Sequence, residues 1–413
     1  VDLLVVGRFG STAGLSAVST GSQILNLVTF VVTQLAMGVT VLIARYLGEK
    51  RPEQISAVLG GAAVVFTILS VGIFILLVGF ARPISVLMQA PEEAVDLTVS
   101  YVRICGGGIF FIVAYNLLSA IFRGLGDSRS PLLFVLVACL VNIAGDLILV
   151  AGFGMDAAGA AIATVLAQAV SVVLAVALLI RKKLPFAITR ADFRLNPQCR
   201  KFLSIGLPLA LQEFLTQLSF LALCAFVNRL GLTASSGYGV ASKIVNFAML
   251  IPSALMQSMV SFVAQNVGAG NQKRARQSML TGIGVGLFFG CAVFALVMLK
   301  GDALAGIFSP DAEVVQKGFE YLKGFAPETI LTAILFSMLG YFNGNKTLWV
   351  MAQGLIQTLL VRLPFAYVMS IQPNASLTKI GLAAPVSTLV GVLLNVGFYL
   401  YLDRKEKRVQ RAD

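Results

Sequence analysis

The stretch SQILNLVTFVVTQLAMGVTVLIARYLGEKR, residues 22–51, returns in altered form as SKIVNFAMLIPSALMQSMVSFVAQNVGAGNQKR, residues 242–274. Ser22, Ile24 and Asn26 pair with Ser242, Ile244 and Asn246, and Ala44 and Gly48 pair with Ala264 and Gly268. Working outward, the same offset of about 220 relates Tyr101 to Tyr321, and Phe122 and Gly124 to Phe342 and Gly344. It drifts by a residue or two at the edges, where Gly10 matches Gly231 and Gly159 matches Gly381, as small loop insertions would cause. The chain is a duplicated unit.

Composition places both copies in a membrane. Of 413 residues 58% are hydrophobic and only 12% charged, and mean hydropathy is +0.89. A water-soluble fold of this length could not bury that much apolar surface. Thirty-nine glycines and 13 prolines sit largely among the apolar runs, a pattern of packed transmembrane bundles. Two homologous halves about a pseudo-twofold axis are common among secondary transporters, whose substrate path lies between the halves. The five cysteines, Cys105, Cys139, Cys199, Cys224 and Cys291, form no CxxC pair, so neither a disulfide framework nor a thiolate metal site is indicated. The absence of histidine removes His-based triads, ligands and proton relays.

Bounded by charges, Gly and Pro, eleven spans are expected near 12–44, 53–80, 92–122, 129–151, 156–180, 200–230, 233–265, 275–299, 311–343, 347–371 and 378–402. Each reaches or approaches the ~20 residues needed to cross a bilayer. Residues 1–9 are too short to span. Because the second half shows six spans, the first should too, so the chain is read as starting partway through its first helix; a cleaved leader fits the repeat less well.

Basic residues orient the spans. Arg45, Lys50, Arg51, Arg123 and Arg129, the run from Arg181 to Lys201, Lys273, Arg274, Arg276, Lys346 and the C-terminal cluster put 21 of the 31 Lys and Arg on alternate loops and the tail. The opposite loops carry Glu92, Glu93, Asp96, Asp156, Asp302, Asp311 and Glu313. The positive-inside rule places the basic set, and both termini, in the cytoplasm. An even number of spans per half then makes the repeats parallel. The expected fold is all-α and integral to the membrane: two parallel six-helix lobes, 12 spans with the first truncated, related by a pseudo-twofold along the membrane normal. Residues 1–180 form the first lobe, 181–199 a cytoplasmic linker, 200–403 the second lobe and 404–413 a basic cytoplasmic tail. The +12 charge is mostly this topology signal, and with no aromatic-interleaved basic face nucleic acid is not an expected partner.

Polar residues inside spans each cost free energy and need a reason to exist. In ACLVNIAGDLILVAG, Asn142 and Asp146 are four apart and share a helix face. Ala160 and Thr164 of the next helix are also four apart, and Asp2 lies in the N-terminal stub. Two carboxylates, an amide oxygen, a hydroxyl and the Ala160 carbonyl make an all-oxygen set that could take Na⁺ or carry a proton. The plainer alternatives are that Asp146 bonds a neighbouring helix, Asp2 sits at an interface and Thr164 bonds its own helix carbonyl. At the repeat offset Asn142 and Asp146 become Arg362 and Ala366, and Asp2 becomes Leu223, so the acidic set occurs once in a duplicated fold.

The second half has its own buried charges, Glu213, Lys243, Glu328 and Arg362, which could neutralise one another as an interhelical network. Alternatively Glu213 or Glu328 attracts a cationic substrate. Phe30, Gln34, Met37, Asn246, Phe247, Met249, Met256, Gln257 and Met259 lie on helices that should line a central cavity. Met and Phe give an adaptable apolar wall, although each is individually more often ordinary packing.

VDLLVVGRFG, a long helix ending ARYLGEKR, FRGLGDSRSP, NIAGDLILVAGFG, GAAIATVLAQ and GLPLALQEF, in that order, resemble the multidrug and toxic compound extrusion (MATE) family over essentially the whole chain. The resemblance implies a bacterial-type antiporter of the cytoplasmic membrane, not an enzyme and needing no cofactor. It would export drugs and other small organic cations by alternating access against Na⁺ or H⁺, and work as a monomer. It also implies a coupling-ion site at Asp2, Asn142, Asp146, the Ala160 backbone and Thr164. Positions used for a second-lobe acidic site in some branches align here with Thr216 and Thr332, which favours the first-lobe site. A lipid-linked oligosaccharide flippase would share the architecture but favour a cationic cavity. A membrane-embedded enzyme would need a catalytic constellation that the spans lack.

Overall fold

The computed structural model describes residues 2–88, 91–182, 189–308, 311–345 and 347–409. Among them no residue is in a β-strand. The chain starts with a two-turn helix, Asp2–Phe9 (α1), and continues with Thr12–Gly48 (α2) and Pro52–Gly79 (α3). The fourth element, α4, is a bent pair, Glu92–Gly107 with Ile109–Gly124. Arg129–Gly152 (α5) and Asp156–Arg181 (α6) complete the first copy. The second copy comprises Pro197–Asn228 (α7), Thr233–Gly268 (α8), Gln272–Gly306 (α9), Ala312–Asn345 (α10), Leu348–Ile371 (α11) and Leu377–Lys405 (α12). Ten of these helices are long and apolar enough to cross a bilayer, and the bent pair makes an eleventh. Ten of the eleven end within four residues of the expected spans, and α9 runs on to Gly306 past a kink at Lys300, just beyond its expected end at residue 299. At 1.5 Å per residue α1 reaches only about 12 Å, short of the ~30 Å hydrocarbon layer.

The duplication is legible in the backbone. After α2, the Arg51 N–H donates to the Tyr46 carbonyl (3.0 Å) and Lys50 adopts a φ of 57°. After α8, 220 residues on, the Asn271 N–H donates to the Asn266 carbonyl (2.8 Å) and Gly270 has a φ of 74°. Such a left-handed residue closes a helix by satisfying its last carbonyls, and Gly does so without strain where Lys does not. The copies diverge in the fourth helix. α4 bends by 51° at Gly108, where a Cβ would lie 2.4 Å from the Val165 methyls of α6. Its counterpart α10 runs unbroken although it carries Pro327.

Hydropathy and burial run opposite to those of a water-soluble core. The most apolar stretch of α5 has mean hydropathy 2.6 yet only 17% of it is buried, whereas in α10 the values are 1.4 and 72%. Leu132, Leu136 and Leu140, one turn apart on α5, all face outward. The apolar stripe is turned to lipid and the small and polar residues are turned inward, as packing in a bilayer demands.

Two compact units result, Val1–Ala210 and Leu211–Asp413, and the division falls inside α7 just after Pro208. The first part of α7 is fastened to the first unit. A Cβ on Gly38 would lie 2.2 Å from the Phe202 carbonyl oxygen, and one on Gly206 would lie 2.4 Å from that of Leu35, so the helices cross backbone to backbone. Just upstream, Asn196 Nδ2 donates to the Ala57 carbonyl (2.8 Å) and Gln198 Nε2 donates to Gln54 Oε1 (2.6 Å). Tyr46 Oη completes the fastening with a hydrogen bond to Gln198 Oε1 (2.7 Å). Of the expected linker, residues 183–188 lie outside the described residues, as do 410–413 of the tail, Lys346 and Val1.

Between α4 and α5 the FRGLGDSRSP stretch forms a clamp. Asp127 accepts from the Ser130 N–H (3.0 Å), the Ser130 hydroxyl (2.8 Å) and Lys182 Nζ (2.7 Å) at the end of α6. Partial burial pushes the Asp127 carboxyl up, but the Lys182 ammonium and the Ser130 donors outweigh it and hold it at about 2.

Candidate functional site

The site is built where α1 meets α2, α5 and α6. Gly145 makes it possible: a Cβ there would lie 2.8 Å from the Ala163 Cβ, so α5 and α6 touch with nothing between them. That contact sets Asn142 and Asp146, one turn apart on α5, beside Thr164 of α6. The Thr164 hydroxyl donates to Asp2 Oδ2 (2.9 Å) and accepts from Asn142 Nδ2 (3.3 Å). Its single proton is spent across helices, not on its own helix carbonyl. The one hydroxyl thereby ties α1, α5 and α6 together.

Asp146 is fully buried, and neither of its carboxylate oxygens has a hydrogen-bond partner among the described residues. Asp2, a like charge, lies within electrostatic and hydrogen-bonding range of it, so the two carboxyls can pair only by sharing a proton. Tyr101 of α4 is in range of both carboxylates, and Cys105, one turn on, is in range of Asp2. A buried carboxylate without donors costs several kcal/mol unless a cation or a proton joins it. Ala160, fully buried, sits one turn before Thr164. From Leu147 to Gly152, directly after Asp146, α5 switches to π-helical winding, which frees and re-aims backbone carbonyls. A second tie holds α1 in place at its far end, where the Ser11 N–H and hydroxyl both donate to Asp156 at the start of α6.

In the second unit Arg362 stands where Asn142 stands in the first. Arg362 is 9% exposed, lies 5.1 Å over the Phe220 ring and is within electrostatic range of Glu328. Glu328, on α10, accepts from the Thr388 hydroxyl (2.8 Å), and Thr388 accepts from Gln357 Nε2 (3.2 Å). Gln357 in turn accepts from Gln353 Nε2 (2.5 Å). Gly391 leaves room for this chain, since a Cβ there would meet both glutamines within 2.6 Å. A second π segment, Ile356–Arg362, carries Gln357 and Arg362. Of the other second-half charges, Lys243 is exposed with its ammonium 5.6 Å over the Phe308 ring, and Glu213 accepts from Gln217 one turn away (2.7 Å). Gln353, Gln357 and Thr388 escaped the sequence reading, which weighed charge. The i, i+4 glutamine pair in a span was the available signal.

The residues expected to line a cavity are placed as follows. In the first unit Phe30 is half-exposed, Gln34 half-buried and Met37 buried. In the second Asn246 is exposed, Met249, Met256, Gln257 and Glu213 are half-buried, and Glu328 is buried.

The description of one protein family, MatE, fits residues 1–148 and again residues 208–368, once in each copy of the repeat. The chain belongs to the MatE family. Its members are transporters, not enzymes. The chain is 24% identical over 98% of its length to a probable multidrug resistance protein, YoeA, of Bacillus subtilis, covering 90% of that protein. It is 26% identical over 76% of its length to an FAD transporter of Shewanella oneidensis, covering 71% of it. Among solved structures, an outward-facing multidrug resistance MATE transporter superposes with a TM-score of 0.90 over 98% of this chain and 90% of that one, at 22% identity. The MatE fold and the two-lobe, multi-span membrane architecture are thereby established for the chain.

Proposed function

We propose that this MatE protein is a multidrug exporter. It moves amphipathic, cationic organic compounds out across the cytoplasmic membrane in exchange for Na⁺ or H⁺, with its coupling site at Asp2, Asn142, Asp146, Ala160 and Thr164. The observation that carries the reading is the fully buried Asp146 carboxylate, paired with the like-charged Asp2 and without a donor among the described residues, beside a Thr164 hydroxyl that bridges Asp2 to Asn142. A cation or proton arriving there neutralises Asp146. The Thr164 hydroxyl holds Asp2 in place to receive it, so ion loading acts on the packing of α1 against α6 and shifts α1. Exposure of the ion and drug sites alternates between the two sides of the membrane, and return of the ion inward resets the protein. The multidrug resistance names of the relatives support the substrate class. Both termini lie in the cytoplasm and the protein acts as a monomer. A flippase for an anionic lipid-linked substrate would draw on Lys243 and Arg362; Arg362 is buried against Phe220 and near Glu328, which leaves Lys243 as the exposed one of the pair.

The test is ethidium or norfloxacin efflux from a pump-deficient bacterial host and, with purified protein, from vesicles carrying either a Na⁺ or a pH gradient. Efflux driven by one of the gradients is expected. Drug movement indifferent to both would refute ion coupling.

A further inference from the structure

A groove of about 480 Å³ runs along the surface of the second unit between the later part of α8, Leu250–Gly268, and the start of α9. Its floor is the close contact of the two helices at Gly282, where a Cβ would lie 2.4 Å from Met259 Sδ. Leu255, Phe262 and Val285 give it apolar walls, and Gln277 and Thr281 add an amide and a hydroxyl. Arg274 closes one end, with its guanidinium 5.3 Å over the Phe262 ring. Lys273, exposed, stands beside it, while the neighbouring Arg276 is occupied by Asp403 (2.7 Å). The basic end also coincides with the first turn of α9, whose N–H groups favour negative charge.

We propose that this groove binds one anionic phospholipid, with the phosphate at Arg274 and an acyl chain along α9. The dimensions agree. From Arg274 to Val285 is eleven residues of helix, about 16 Å, and one leaflet of hydrocarbon is about 15 Å deep. A lipid seated there has its headgroup at the basic end of the span and its chain beside Phe262 and Val285. Any apolar groove in a membrane span meets lipid; the charge at Arg274 is what selects an anionic one. On the positive-inside orientation this is the cytoplasmic leaflet. The site is separate from the Asp146 cluster, which belongs to the first unit, and holds whether or not ion coupling does.

Native mass spectrometry of the full chain in detergent tests this, with phosphatidylglycerol and phosphatidylcholine of equal chain length. Wild type should prefer phosphatidylglycerol. Arg274→Gln should weaken phosphatidylglycerol binding about fivefold and leave phosphatidylcholine unchanged, the fold-change equivalent of the ~1 kcal/mol of one basic residue at an anionic surface. Arg274→Lys should keep the preference, and Thr281→Trp, which fills the groove, should weaken both lipids. Arg129→Gln, a basic residue at the end of another span, should change nothing. Equal binding of the two lipids by wild type, or an equal fall with Arg129→Gln, would overturn the proposal. So would displacement of phosphatidylglycerol by inorganic phosphate, which would mark a free-anion site, or by ethidium, which would assign the groove to the exported drug. If Arg274→Gln unfolds, the Thr281→Trp and Arg274→Lys results decide.

Discussion

Thr164→Val removes one hydroxyl and keeps the side chain's shape, and its effect can be worked out from the site. The wild-type hydroxyl makes two interhelical bonds, to Asp2 at 2.9 Å and from Asn142 at 3.3 Å. Interhelical hydrogen bonds in membranes contribute about 0.6 kcal/mol on average and up to about 1.7. The shorter bond, to a carboxylate, belongs at the upper end. If that bond holds α1 against α6 in the ion-ready arrangement, its loss lowers the population of that arrangement roughly three- to twentyfold, at tenfold per 1.4 kcal/mol. The concentration of coupling ion giving half-maximal drug efflux should therefore rise three- to twentyfold. The maximal rate, reached once the ion saturates, should stay within about twofold of wild type. Thr164→Ser, which keeps the hydroxyl, should behave as wild type. The assay is ethidium efflux from proteoliposomes against a titration of external Na⁺ at fixed pH, and of pH at fixed Na⁺. An unchanged half-saturation point in Thr164→Val would refute the role given to this hydroxyl, as would an equal loss in Thr164→Ser.

Further outcomes follow from other contacts. Gly145→Ala places a methyl 2.8 Å from the Ala163 Cβ and should cost about 1–3 kcal/mol by overpacking; thermal unfolding in detergent should show the drop, and Ala163→Gly in the same chain should restore stability. Glu328→Leu removes the carboxylate that lies near Arg362 and should lower expression and thermal stability, because a buried guanidinium loses its counter-charge. Restoration by a second change, Arg362→Leu, is expected in the same unfolding assay. For Asp127, held at about 2 in the folded chain against an ordinary value near 3.9, the clamp's contribution is complete above about pH 4 and is lost as pH falls toward 2. Asp127→Asn should therefore destabilise the protein by the same amount at every pH from 5 to 8, with the difference from wild type closing only in strong acid.

The spans were legible because hydropathy, charge and Gly or Pro punctuation all act locally, and the repeat was legible because Ser22, Ile24, Asn26, Ala44 and Gly48 recur at one constant offset. The 51° bend at Gly108 was not read, although Gly106, Gly107 and Gly108 in a row mark a place where α4 could press on Val165. Neither π segment was foreseeable. The sequence LILVAG reads as ordinary helix, and its winding is set by the packing around it. At the candidate site Asn142, Asp146 and Thr164 stood out by spacing alone, while the bridging role of the Thr164 hydroxyl needed the third dimension. The second unit's Gln353–Gln357–Thr388 chain was missed because amides and hydroxyls are common in spans, whereas charges are rare. Residues 196–210 read as linker and second lobe, yet Asn196, Gln198 and Gly206 are fastened to α2 and α3, a contact no local pattern encodes.

The most direct test of the account is Asp146→Asn, reconstituted in proteoliposomes and compared with wild type under an imposed Na⁺ gradient and an imposed pH gradient. The amide is nearly isosteric and cannot carry the charge that an ion or proton would neutralise. Normal expression and unfolding temperature, retained drug binding, and efflux that no longer responds to either gradient are expected. Gradient-driven efflux at the wild-type rate would contradict the assignment of the coupling site to Asp146.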